Sequence, residues 1–563
     1  MASITGKKAI FFVTSPRSPL KMVDEVRFLV ENFSGQKWNS ETQNNFYEGL
    51  VIQPFFDGGQ SADPAFSARD RITRGPKSLG LVELKPNIAL SKAGNAFLYG
   101  NRIDEAILRQ MLKFQFPSPF HTDKNGAFSV KPYLELMRFV RDLGGLTKTE
   151  IALFVMQLTN YSDYERLKMK IEVFRNAAKH NRKVAKINYR EFVKEQFIRE
   201  LSQLFSEEIE ADETAMGVTD ETTIKDFLKK KRSNHLDYAD AAIRYLRATN
   251  LFTFNARSLR VSVMPERASD VDFILEKIPR EPRSFDSEKQ YGTYLFAAET
   301  PILLTDNAPR LIKNILAQGS LHTIQTLKNK GIEKLKDIFT DVLNENLKQI
   351  ISQQRDELRK YGDYEDIEKT FDLIRDADIA DPSLYLEWNV WRAFEMLDDG
   401  LIEGHFRVDN NGAPLYTAPG NMADIVCKYS EFETIVEVTR STGQRQYEME
   451  GEPVSRHYGQ HRTTTTKPVF AIFIATQINK ATLAHYFVTS RTNVAYYGGP
   501  TKIIPLSLND FRKLLENAKN ASRKPDSKIL KALLDELSEL ALTSTDEEEW
   551  AQAISNRVIT AFK

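Results

Sequence analysis

Two carboxylates carry the strongest chemical signal in this chain. Asp424 enters the apolar run Ile425, Val426, Cys427, and thirteen positions later Glu437 sits inside Thr434, Ile435, Val436, Val438 and Thr439. β-Branched neighbours on both sides predict buried strands. The stretch between them, Lys428 to Glu433, predicts a tight polar connection and hence an antiparallel hairpin that sets the two acids side by side. Like charges held together at a sheet edge repel unless a divalent cation lies between them, and Mg²⁺ is the natural candidate. Carboxylate-held Mg²⁺ activates water and neutralises charge on the pentavalent transition state of phosphodiester hydrolysis. In that chemistry Asp424 and Glu437 are the shared metal ligands, and the Val438 carbonyl turns back toward the ion. Glu450, on the helix that follows, holds a second metal or orients water, and Glu387 reaches in from the preceding helix. His457 assists as a water or phosphate partner, while Arg456 pairs with Glu452.

These residues need a frame. SLYLEWNVWRAFEML, 383–397, predicts a helix with Leu386, Val390, Phe394 and Leu397 on one face. After the acidic hairpin come an apolar strand at Val469 to Ala475, a helix beyond Ile478, a strand at Lys502 to Leu506 and the helix SLNDFRKLLENA. That order predicts an α/β module with a mixed central sheet and helices on both faces, starting near Ala380. Upstream, apolar residues recur at three- and four-residue spacing from Leu335 to Ile351, an amphipathic helix that reads as a spacer arm. From Leu146 to Met264 the pattern is helical and ends in a helix, then Thr249 and Asn250, then two short strands around Asn255 and Ala256. Winged helices end this way and commonly bind duplex DNA. Residues 1–145 are broken by Pro and Gly, with Arg17 in SPRSP and Arg69, Arg71, Arg74 and Lys77 near Gly75, Pro76 and Gly80. Such loops present cations to phosphates or guanine edges, and His121 ends a further basic and aromatic segment.

A chain of 563 residues is too long for one core. It has no apolar run of the roughly 18 residues that would span a bilayer and no secretory signal, so a cytoplasmic protein with no membrane partner is expected. Its single cysteine, Cys427, excludes an intramolecular disulfide and a thiolate zinc cluster. Net charge is zero, yet residues 1–265 hold 40 Lys plus Arg against 31 Asp plus Glu, and the remainder holds 37 against 46. A basic half joined to an acidic one suits a polyanion-binding module attached to a metal-binding one.

With these residues in view, the chain resembles the AlwI family of type IIS restriction endonucleases and their strand-nicking relatives. The likeness runs nearly full length, through SPRSP, FSARDR, PSPFH, GGLTKTEIALF, LEWNVWRAF, APGNMADIVCKY, VEVTRSTGQRQYEMEGEPVSRHY, IFIATQINKATL and TKIIPLSL. It implies a mainly α N-terminal half of winged-helix-like DNA-recognition subdomains (1–145 and 146–265), a helical linker (266–379) and a PD-(D/E)XK nuclease domain (380–563). Carried over position by position, the acidic site falls on Glu387, Asp424, Glu437, Val438 and Glu450, with His457 beside it. The superfamily pattern puts a Lys two residues after the second acid, where this chain has Thr439. Water activation then falls to metal alone or to another side chain. The resemblance also implies binding of a short asymmetric duplex site and cutting a few nucleotides outside it. One active site cuts one strand, so double-strand cleavage requires a transient homodimer or a small nuclease subunit, and without either the enzyme nicks. The competing readings are a catalytically inactive DNA-binding protein and an RNA-directed nuclease.

Overall fold

The computed structural model describes residues 2–53, 55–56, 59–180, 188–210, 224–376, 379–397, 400–417 and 422–562; the 418–421 part of the APGNMADIVCKY motif lies outside them. The chain forms two compact units, Met1–Ile52 with Gly59–Asn344, and Gln53–Gly58 with Glu345–Lys563.

The first unit is mainly helical. Its helix Pro64–Ile72 starts with Pro64 in the first turn and Asp63 as cap, the Asp63 carboxylate accepting from the Phe66 N–H at 2.8 Å. It runs into a wide π-helical turn, Thr73–Lys77, that contains Pro76. Proline has no N–H for a regular helical bond, so the turn loosens there and carries Arg74 and Lys77 out of the helix line. Further along, the 24-residue helix Ile224–Arg247 is followed by strands Phe252–Asn255 and Arg260–Val263. Arg260–Val263 lies between Phe252–Asn255 and Leu146–Thr147 in an antiparallel three-stranded sheet. The long helix Ile332–Leu358 packs Leu335, Ile338, Phe339 and Leu343 against Leu311, Ile315 and Leu327, so this part of the expected spacer has its own core.

The second unit is built on a five-stranded mixed sheet. Its strands are β1 (Leu401–Gly404), β2 (Ile425–Lys428), β3 (Glu433–Thr439), β4 (Val469–Ala475) and β5 (Ile503–Ser507), in the spatial order β5, β4, β3, β2, β1. β1, β2 and β3 are antiparallel, whereas β3, β4 and β5 run parallel. All seven residues of β4 are buried, as expected of a strand covered on both faces. Helices α1 (Pro382–Leu397), α2 (Glu452–Arg462), α3 (Lys480–Arg491) and α4 (Leu508–Asn520) surround the sheet. The β2–β3 connection is tighter and less polar than its composition suggests. Lys428 and Glu433 already pair across the strands, and the turn is closed by Tyr429 and Phe432, whose rings stack 4.3 Å apart.

Helix α1 is buried nearly all round, not along one stripe, which requires its polar groups to find partners. Glu395, 1 % exposed, is paired with Arg355 at 2.7 Å and Arg359 at 3.4 Å. Burial still pushes its carboxyl up in spite of both arginines. Arg355→Ala is therefore expected to destabilise this unit by about 2 kcal/mol, at the low side of the cost of orphaning a buried charge because Arg355 is itself a third exposed. Urea unfolding of the full chain checks this, and an unchanged midpoint would show that Arg359 alone suffices.

Candidate active site

The site is assembled at the end of β3 by the register of the hairpin. Ile425 pairs with Val436, which puts Asp424, immediately before β2, across from Glu437. Asp424 Oδ2 accepts from the Val438 N–H at 2.8 Å, and Glu437 accepts from the Asp424 backbone N–H. The acids are thus held by the opposite strand's backbone. Glu437 is 5 % exposed, while Asp424 and Glu450 are half-buried and open the site toward solvent.

Glu450 arrives differently. After β3 the chain turns through Gly443, whose φ of 62° suits only glycine well, then enters a short helix Gln444–Gln446 and a π-helical turn Tyr447–Gly451. Pro453, in the first turn of α2, offers no N–H, so the turn before it widens and Glu450 is swung toward the hairpin. The Thr439 hydroxyl bonds Glu450, and the Tyr486 hydroxyl from α3 donates to the Glu450 carbonyl at 2.9 Å. Gln446, fully buried, ties Ser441 to Gln477 by donating to both carbonyls and accepts from the Asn479 N–H.

The electrostatics are those of crowded carboxylates. Burial, then the charge of Glu437, pushes Asp424 up; burial, then Glu450, pushes Glu437 up; and burial, then Asp424, raises Glu450 to about 7 against its hydrogen bond from Thr439. His457, on α2, lies with Nδ1 2.7 Å from Glu437 Oε1, and burial with the nearby Arg456 lowers it to about 4. That contact is therefore a hydrogen bond from a neutral imidazole, with the Nδ1–H donating once Glu437 is ionised, and not an ion pair. His457 Nε2 is buried and has no partner among the described residues.

Asp424, Glu437, Val438, Glu450 and His457 thus come together, while Glu387 is buried on α1 and supplies none of the leading charge effects on the three acids. Arg456 bonds Glu452 at 3.4 Å. Gln446 and Tyr486 belong to the same cluster and carry no sequence signal of it, whereas Thr439 is marked by its position two residues after Glu437. Among the described residues no three His, Cys, Asp or Glu side chains already enclose an ion-sized space. The carboxylates are turned to backbone N–H groups and His457 instead. The donor chemistry nonetheless fits a hard divalent cation, because three adjacent carboxylates raise one another and the one Lys or Arg that acts on them, Arg456 on Glu437, leaves Glu437 still raised.

In the first unit, Arg17 pairs with Asp237 at 3.1 Å and is half-exposed; Arg69 donates to Gln43 at 2.8 Å; Arg71 pairs with buried Glu25. Lys77 lies over the Phe120 ring at 4.3 Å, and burial works against its charge, with Glu288 favouring that charge and Lys85 opposing it to a lesser extent. Lys7 is likewise lowered by burial and by Arg74. His121 is buried, with Phe11, Phe114 and Phe116 packed edge-on around its ring.

An acidic cluster at the end of a mixed sheet, joined to a helical unit with crowded cations, is an arrangement suited to acting on a polyanion, and sequence comparison gives the class as restriction endonuclease. Residues 77–514 match the AlwI restriction endonuclease family, and the chain belongs to it. A comparison with curated proteins finds no match. Among solved structures, the small subunit of the heterodimeric restriction endonuclease BspD6I is 22 % identical over 37 % of this chain and all of its own, with a TM-score of 0.29. The BpuJ1 endonuclease binding domain, solved with modified DNA, is 14 % identical over 49 % of this chain and 88 % of its own at 0.28. Restriction endonuclease FokI is 12 % identical over 94 % and 99 % at 0.24. None of these scores is high enough for a shared fold to follow. Among the described residues no helix is long and apolar enough to cross a membrane.

Proposed function

We propose that this restriction endonuclease is a type IIS enzyme that binds a short asymmetric duplex DNA site and hydrolyses phosphodiester bonds a few nucleotides outside it with Mg²⁺. The observation that carries the reading is the meeting of Asp424, Glu437 and Glu450 beside a neutral His457 with a free Nε2. Asp424, Glu437, the Val438 carbonyl and Glu450 are the proposed metal-binding groups, with Glu387 supporting them from α1. When bound, Mg²⁺ supplies positive charge for the pentavalent phosphorus and lowers the pKa of water. The protein's own part is to orient: the backbone N–H of Val438 fixes Asp424, Thr439 fixes Glu450, and Glu437 fixes the imidazole. His457 Nε2, buried and without a partner among the described residues, is the proposed proton acceptor for the attacking water.

Recognition is assigned to 1–145 and to a winged-helix-like region, 146–265, for which the helix Ile224–Arg247 and the hairpin after it are the support. Residues 266–379 are the proposed linker and 380–563 the cleavage domain. The proposed contacts are Arg17, Arg69, Arg71 and Lys77, because cations that crowd one another, as Lys77 with Lys85 and Lys7 with Arg74, are relieved by a polyanion. His121, enclosed by aromatic rings, supports this face from beneath. Arg17→Gln and Lys77→Gln are each expected to weaken DNA binding and lower the salt slope of log K by about one, with cleavage chemistry intact. Fluorescence anisotropy across a salt series checks this, and unchanged affinity in both would remove the loop from the interface.

Supercoiled plasmid digested with Mg²⁺ or chelator, with ends mapped on both strands, tests the whole reading. Linear product beside one short sequence means two-strand cutting, through a transient homodimer or a small nuclease subunit. Open-circular product with one mapped break means a strand-specific nickase, and no metal-dependent product means a DNA-binding protein without activity.

A further inference from the structure

The exit of β3 carries a cation that nothing in the described protein neutralises. The Thr439 Oγ1 accepts from the Ser441 N–H at 3.0 Å, closing a short turn with Arg440 at its centre, one residue from the hydroxyl that holds Glu450. The Arg440 guanidinium is half-buried, forms no ion pair or hydrogen bond with any described residue, and has its Nε enclosed without an acceptor. Nearby arginines are settled: Arg456 by Glu452, and Arg491 by the carbonyls of Ala541 and Ser544. A guanidinium partly stripped of water and lacking an acceptor is costly, and it is kept at low cost only where an anion arrives to complete it. Arg456 acts on Glu437 by its charge, but neither Asp424 nor Glu450 has a Lys or Arg among the causes that shift it, and Thr439 has no charge to offer.

Resting on the nuclease reading above, we propose that Arg440 binds a non-bridging oxygen of the DNA phosphate at, or next to, the scissile bond. The planar guanidinium fork suits phosphate and stays charged through the reaction. It supplies, one residue along the chain, the positive charge that Thr439 cannot. The approaching phosphate is thereby held between the cation of Arg440 and the acid cluster, which orients the phosphorus for attack.

Arg440→Ala, Arg440→Gln and Arg440→Lys test this on the full chain, with single-turnover cleavage of a duplex carrying the mapped site in Mg²⁺ and equilibrium binding in Ca²⁺ over a salt series. The Ala and Gln variants are expected to cleave roughly a hundredfold more slowly, as for loss of one donor to a charged transition state. Their salt slope should fall by about one, the signature of a lost phosphate contact that a structural role would not give. Arg440→Lys should recover most of the slope but only part of the rate. Wild-type rate and slope in Arg440→Ala would overturn the inference, as would a rate loss with unchanged slope and a lowered melting temperature. A wild-type protein that binds but never cleaves would overturn the nuclease reading instead, and the slope would still decide whether Arg440 meets a phosphate.

Discussion

Asp424→Asn and Glu437→Gln are each expected to lower DNA cleavage at least about a thousandfold while leaving site-specific binding within a fewfold of wild type. The amides keep the shape and a carbonyl acceptor, so the side chain that replaces Asp424 should still receive the Val438 N–H and the hairpin should not move. What they lose is the charge through which the cluster is proposed to hold Mg²⁺. Measured as single-turnover cleavage beside binding, a near-normal rate in either variant would remove that residue from the site.

The same substitutions carry a second, opposite expectation for stability. In the metal-free protein all three acids are pushed above their ordinary values by burial and by one another. A carboxyl whose folded value is raised contributes stability that is complete below its unfolded value and is lost as pH rises through the folded one, which for Glu450 is about 7. Metal-free wild type should therefore melt lower at pH 8 than at pH 5.5. Asp424→Asn should melt higher than wild type at pH 8, by about a few degrees, and respond less to pH. Mg²⁺ should raise the wild-type melting temperature at pH 8 and leave that of Asp424→Asn nearly unmoved. If the variant instead melts lower at pH 8, repulsion is not what the cluster stores.

The hairpin is legible in the sequence because its signals are local. β-Branched residues flank both acids, and a four-residue turn leaves little freedom in the register that sets Asp424 across from Glu437. Glu450 is legible as a nearby acid but not in its setting: it stands on a π-helical turn forced by the missing N–H of Pro453, and a helical periodicity does not show where one turn widens. Tyr486 reaches the site from α3, 36 positions beyond Glu450, and Phe11 encloses His121 from the far end of its segment; both are products of packing between distant stretches. Arg440 shows the same limit in reverse. Its type is visible in the sequence, but its lack of a partner among the described residues is a product of how distant stretches pack.

His457→Ala is expected to slow the chemical step about a hundredfold or more, within the range that general-base catalysis contributes, with DNA binding unchanged. The argument is geometric. Nδ1 lies 2.7 Å from Glu437 Oε1, so once Glu437 is ionised the Nδ1 proton is held by the carboxylate and Nε2 carries the lone pair. Nε2 is enclosed and has no partner among the described residues, and the imidazole is lowered to about 4 by burial and Arg456, so it is neutral near pH 7. A base oriented by a carboxylate and left without a partner is poised to take a proton from the water that attacks phosphorus, as the 3′ or 5′ oxygen departs. His457→Gln separates this role from a structural one, since its amide can still donate to Glu437 but is too weak a base to take the proton. Both variants should keep the Mg²⁺-induced rise in melting temperature, and added imidazole should restore part of the rate to His457→Ala. A rate loss that disappears at high Mg²⁺ would place His457 in ion binding, and wild-type rates in both variants would leave water activation to the metal site alone.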